Sequence, residues 1–193
     1  MNCYLSRNYK GTSSAGNKAK TDIEAIMSQM QYKNVGLQQT TYRNSIIAFL
    51  YTLIGVLKSP FCLHKGDSLV LQYPLKKYFT FVCRMAHMRG AKVIVLIHDL
   101  GSFRRKKLTV EKEIMRLNNA DCIIAHNEKM KEWLEQHGCK AKLLTLGIFD
   151  YLSETTAVEK KLPSPSTCCM REYWQKEKTH SYMKWEIILA TSN

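Results

Sequence analysis

Val93, Ile94, Val95, Leu96 and Ile97 form an unbroken apolar run, and His98, Asp99, Leu100, Gly101, Ser102, Phe103, Arg104 and Arg105 follow it at once. The run leaves no polar face, so it suits a central strand of a parallel sheet, buried on both sides. The switch to His98, Asp99, Gly101 and paired arginines marks the carboxyl end of that strand. In open α/β sheets, ligands bind outside these ends. The His-Asp pair therefore reads either as site chemistry or as a strand-end cap ahead of a solvated basic loop.

The same pattern recurs along the chain. Residues 2–7, 34–39, 68–73, 121–125 and 141–146 read as further strands. Helical patterns separate them. Ile23, Ile26, Met27 and Met30 keep helical spacing, as do Phe79, Val82, Cys83 and Ala86 within 76–88. Residues 44–59 form the most apolar segment. Thr109 caps a helix through Leu117, with Glu111 and Glu113 in the first turn, where the helix dipole favours acid. Gly90 and Gly138 stand where helices end in the left-handed conformation, the second closing a helix over 128–137. One strand and helix occupy roughly 25 to 30 residues, which implies an α/β fold built on a doubly wound, mostly parallel sheet. Three strands finish in polar groups: Tyr73 before Pro74, His98 with Asp99, and His126 with Asn127. Parallel topology brings such ends to one edge, and several together point to a cleft.

Residues 8–18 form a loop of small residues leading into the first helix, with Ser13 or Ser14 as its cap. A strand, a Gly/Ser loop and a helix N-terminus make an anion pocket, because backbone N–H groups and the helix dipole point the same way. The loop matches neither a dinucleotide fingerprint nor a Walker loop, and a plain capped turn explains it equally.

Charge narrows the partners. The 193 residues carry a formal net charge of +13, which favours an anionic partner: nucleic acid, phosphorylated metabolite or acidic membrane. Arg104, Arg105, Lys106 and Lys107 are a basic run, but no aromatics interleave with it as a stacking platform requires, and no nucleic-acid motif is present, so nucleic acid is not expected. The apolar stretch 46–57 reaches only about 18 Å as a helix, against roughly 30 Å of hydrocarbon core. It reads as a buried or membrane-contacting helix flanked by Arg43, Lys58 and Lys65. Seven cysteines are present without CxxC spacing. Residues 1–10 hold no apolar signal segment, so reduced thiols in a cytoplasm are expected. Singly scattered cysteines make a zinc site unlikely in chemical terms, and neither metal nor cofactor is expected.

Asn17 and Lys18 within the segment 13–22, residues 69–74, residues 97–105 and the pair His126-Asn127 together resemble bacterial galactofuranosyltransferases of the GT-B fold. Four motifs recur in order at strand ends, over residues 1–153. The resemblance implies the Rossmann-like N-terminal domain of a two-domain enzyme. Such enzymes transfer galactofuranose or a related sugar from a UDP-sugar to a saccharide or lipid-linked acceptor. The setting implied is polysaccharide or glycolipid synthesis at the cytoplasmic face of the membrane, with peripheral membrane contact and self-association as expectations. It also implies roles. Ser14, Ala15, Gly16 and Lys18 face the donor diphosphate, while Tyr73, Arg104, Arg105, His126 and Asn127 bind the acceptor. His98 or Asp99 serves as catalytic base, and the arginines neutralise phosphate.

Residues 154–193 depart from that pattern, with Pro163 and Pro165, the vicinal Cys168 and Cys169, and Trp174 and Trp185 among lysines. They read as an irregular tail. Back-translated in shifted frames, 169–184 permits Gly-Asn-Ile-Gly-Lys and Pro-Phe-Ile-Tyr-Glu, so the expectation is a frameshifted tail standing where a donor domain belongs. Such a chain is expected to transfer little sugar alone. Two other classes of reading are a nucleic-acid-binding module and a non-catalytic partner of an intact transferase.

Overall fold

Six parallel strands form one sheet in the order β2-β1-β3-β4-β5-β6 in the computed structural model, which describes residues 1–6, 15–36, 45–75, 78–104 and 108–147. The strands are β1 Asn2–Tyr4, β2 Lys33–Asn34, β3 Ser68–Tyr73, β4 Lys92–Ile97, β5 Cys122–Ala125 and β6 Lys142–Thr145. All pairings are parallel, so the expected mostly parallel sheet is wholly so among the described residues. The central β3 is buried along its full length, and β4 is buried from Val93 to Ile97. A strand covered on both faces needs apolar side chains in both pleat directions, which explains the unbroken runs.

Helices α1 Ala15–Gln29, α2 Ser45–Lys58, α3 Phe79–Met88, α5 Val110–Leu117 and α6 Glu128–Gln136 connect the strands, and a short α4, Gly101–Arg104, follows β4. One core lies between the sheet and α3, α5 and α6, where Phe79, Val82, Cys83, Ala86, Ile114, Leu117 and Leu134 meet Val93, Val95, Ile97 and Ile123. The other core sets Ile23 and Met27 of α1 against Tyr4, Val70, Ile94, Leu96 and Ile124. Odd and even residues of β4 thus enter different cores, as the two-residue period of a strand requires.

The capping signals hold. Thr109 and Asn127 accept from the amides of Lys112 and Met130, and Gly90 and Gly138 take positive φ angles of 73° and 83°. Other boundaries move. β2 ends at Asn34 rather than extending through 39, because the Asn34 side chain turns back to accept the amides of Ser6 at 3.3 Å and Gly36 at 2.8 Å. Residues 37–39 lie outside the described residues. The α-helix α3 starts at Phe79 after a 3-10 residue at Tyr78, and residues 76–77 lie outside the described residues. A 3-10 turn, Ser59–Cys62, and α4 were not expected from the sequence pattern. The proposed caps Ser13 and Ser14 and the tail 154–193 lie outside the described residues.

Candidate functional site at the carboxyl edge of the sheet

The strand order reverses beside β1. From β1 the chain steps outward to β2, then returns past β1 to β3 and continues to β6. Such a switch point opens a crevice at the carboxyl ends of the two diverging strands, here β1 and β3. Polar side chains are concentrated there. Ser6, just past β1, donates its hydroxyl to Glu24 of α1 at 2.7 Å, and both residues are buried. Gln72, one residue from the end of β3, is 3% exposed. Its Nε2 donates to the Lys20 carbonyl of α1 at 3.1 Å, and its Oε1 faces His98 Nε2 at 2.7 Å.

This arrangement assigns the histidine tautomer. The Lys20 carbonyl only accepts, so the amide nitrogen of Gln72 must point to it and the amide oxygen must point to His98. His98 Nε2 therefore carries the hydrogen, and Nδ1 carries the lone pair. Burial is the main force on this imidazole, with nearby Lys20 and then His126 adding to it, and it holds the pKa down to about 3. His98 is neutral at any physiological pH. The His126 ring stands edge to face with it, centroids 6.2 Å apart. Burial lowers the His126 pKa too, and the neighbouring charge of Asp99 opposes that shift. His98, Asp99 and His126 thus meet at one edge, as their places at strand ends foretold.

Tyr73 is different. It is 3% exposed, so the expectation that Pro74 presents it at the edge is corrected: the ring lies in the core, edge to face with Phe79 at 5.3 Å. Its hydroxyl donates to Glu113 Oε1 at 2.8 Å. Burial and the Glu113 carboxyl both push the phenol upward in pKa. Glu113 is completely buried and also accepts the amides of Gly101 and Ser102, each at 2.8 Å. Glu113 stands in the first turn of α5, as expected, and its carboxylate has a second task. It reaches across to hold the turn after Asp99. The sequence carried a signal for this: Glu113 shares an inward helical stripe with Val110, Ile114 and Leu117. Sequence reasoning also missed Ser6, Glu24 and Gln72, which look like ordinary polar residues until the switch point places them.

Asn127 is the exposed N-cap of α6 and accepts the Met130 amide at 2.9 Å. Lys18 pairs with Asp22 one turn along α1, at 3.1 Å. Ala15 and Gly16 open α1, and Arg104 ends α4. Ser14 and Arg105, and the side chains of Ala15 and Arg104, lie outside the described residues.

A parallel sheet with a crowded polar carboxyl edge at its switch point defines a Rossmann-like ligand-binding domain. The chain belongs to the glucosyltransferase 3-like family, whose N-terminal domain matches residues 2–148. It is also similar to the beta-1,6-galactofuranosyltransferase WbbI of Escherichia coli K12, with 25% identity over 139 residues. That match covers 72% of this chain and 41% of the relative, so the chain spans about two fifths of the length of the relative it matches. The described domain is thus a glycosyltransferase-type N-terminal domain.

Proposed function

We propose that the chain provides the acceptor-side domain of a GT-B glycosyltransferase. The reaction moves galactofuranose or a related hexose from a UDP-sugar to a saccharide or lipid-linked acceptor in polysaccharide or glycolipid synthesis. The observation that carries this reading is the buried relay from the Lys20 carbonyl through Gln72 to His98, set at the switch point with Asp99 next in the chain. Its support from relatives is the family match and the similarity to WbbI, a beta-1,6-galactofuranosyltransferase.

The relay favours Asp99 over His98 as the base. Taking a proton would place a charge on His98 in a site that strongly disfavours it, so His98 is a weak base. Its neutral ring orients the acceptor rather than taking the proton. Asp99 takes the proton. The acceptor oxygen then attacks the anomeric carbon, the bond from that carbon to the diphosphate oxygen breaks, and UDP leaves. Residues 15–18, opening α1, face the diphosphate.

Transfer needs acceptor and donor held in one geometry, which supplies about 7–11 kcal/mol of barrier lowering. The share of that task expected of this domain is to bind the acceptor. Calorimetric titration with saccharide acceptors and with UDP-hexoses tests the assignment. Saccharides bind, and Asp99→Asn keeps most of that binding. UDP-hexoses binding more tightly than every saccharide would make this the donor side instead.

A further inference from the structure

Helix α2 turns its apolar side away from the protein. Val56 is 1% exposed, and Gly55, Ser59 and Pro60 are buried around it. The opposite side carries Ile46 at 67% exposure, Phe49 at 51%, Leu50 at 50% and Ile54 at 57%, with Ile47 and Leu57 beside them. At 100° per residue these six fall within an arc of about 160°. A helix that merely covers a core shows the reverse pattern, with its polar face outward.

The face extends beyond α2. Phe61 in the 3-10 turn is 63% exposed. Helix α3 packs beside that turn and lies on the same side of the sheet. It buries Phe79, Val82, Cys83 and Ala86 and sends Phe81, Arg84 and Met88 outward. This layer is also charged in one sense only. Across 45–75 and 78–90 the described residues carry Lys58, Lys65, Arg84 and Arg89 and one carboxylate, Asp67, which is buried and accepts the His64 amide. Lys58, Lys65 and Arg84 are exposed around the apolar arc.

We propose that this layer seats on an anionic phospholipid bilayer. Helix α2 lies in the plane of the headgroups, its apolar arc at the acyl boundary and its flanking cations on lipid phosphates. Charge selects the occupant: a second copy would bring a further net charge of +13 against the same face, whereas an anionic bilayer neutralises it. Length selects the pose. Fourteen residues of α2 reach about 21 Å, and no helix of the described residues is long and apolar enough to cross a membrane. The proposal stands on this face alone and does not require the transferase reading.

Flotation of the whole chain with vesicles tests it. Retention on mixed phosphatidylglycerol and phosphatidylcholine vesicles is expected, with at least about fivefold weaker binding to phosphatidylcholine alone and a matching loss in high salt. Replacing Phe49 and Leu50 together by serine is expected to leave the thermal melt in place and weaken binding at least about tenfold. Lys58→Glu with Lys65→Glu should remove the preference for anionic lipid, and this variant decides the matter if the first folds poorly. Three results would overturn the proposal: no retention on either vesicle, tight salt-dependent binding to DNA in place of lipid, or a dimer in sedimentation that the serine variant dissolves.

Discussion

At the amino ends of β4 and β5, Asp121 accepts the Val93 amide at 2.6 Å and meets His87 at 2.9 Å, with side chains 46% and 40% exposed. At the carboxyl ends of the same two strands, His98 and His126 are drawn out of water, and burial lowers both pKa values. The residue types are alike and the work differs. Asp121, itself half-exposed, closes a sheet edge by accepting the amide of the second residue of β4. The carboxyl edge instead holds two half-buried histidines whose charged forms burial disfavours, with His98 tied through Gln72 to the Lys20 carbonyl. Such an arrangement costs stability, and in an α/β sheet ligand chemistry accounts for it at this edge.

The contrast is sharpest at Glu113. Replacing it with alanine would orphan two backbone amides and the Tyr73 hydroxyl in the core, an expected loss of about 3–5 kcal/mol in urea unfolding. Asp121→Ala removes a half-exposed carboxylate, leaves His87 in solvent and orphans one amide, that of buried Val93, and should cost about 1–2 kcal/mol. Equal losses at the two positions would remove the distinction between the edges.

Acid separates the edges next. The folded pKa of His98 lies near 3, below the ordinary 6.5, so the unfolded chain binds more protons between these values. The stability held by neutral His98 is complete above pH 6.5 and is lost as pH falls toward 3. The expected drop from pH 7 to pH 4 is up to about 3 kcal/mol, and His98→Gln should flatten it. An unchanged slope in that variant would show that burial of His98 does not govern acid sensitivity.

A smaller effect is expected at Gly36, where a Cβ would run into the carbonyl oxygen of Ser6. Gly36→Ala should cost about 1–3 kcal/mol and disturb the end of β1. Smallest of all, Asn127→Ala should cost about 1 kcal/mol as a lost N-cap, while saccharide binding persists. A large loss of binding with little change in stability would return Asn127 to the site.

Much of this was legible in the sequence. The buried runs of β3 and β4, the alternation with helices, the cap at Thr109 and the glycine stops at Gly90 and Gly138 all follow from local chemistry. So does the meeting of His98, Asp99 and His126, because parallel strands put their carboxyl ends together. What was not legible depends on partners distant in sequence. Glu113 reads as a first-turn acid until Gly101 and Tyr73 arrive beside it. Gln72 reads as a strand residue until α1 crosses the switch point and offers the Lys20 carbonyl. The outward arc of α2 was visible as apolarity, but its direction is set by which side docks Val56.

Chemical-shift mapping of the isotopically labelled chain compares the two edges in one experiment. Titrated with methyl hexosides, including the galactofuranoside, the amides of Ser6, Gln72, His98, Asp99, Gly101 and His126 should move together, while those of Asp67, His87, Val93 and Asp121 stay in place. Saturable shifts at the amino edge with the carboxyl edge silent would contradict the assignment of the site.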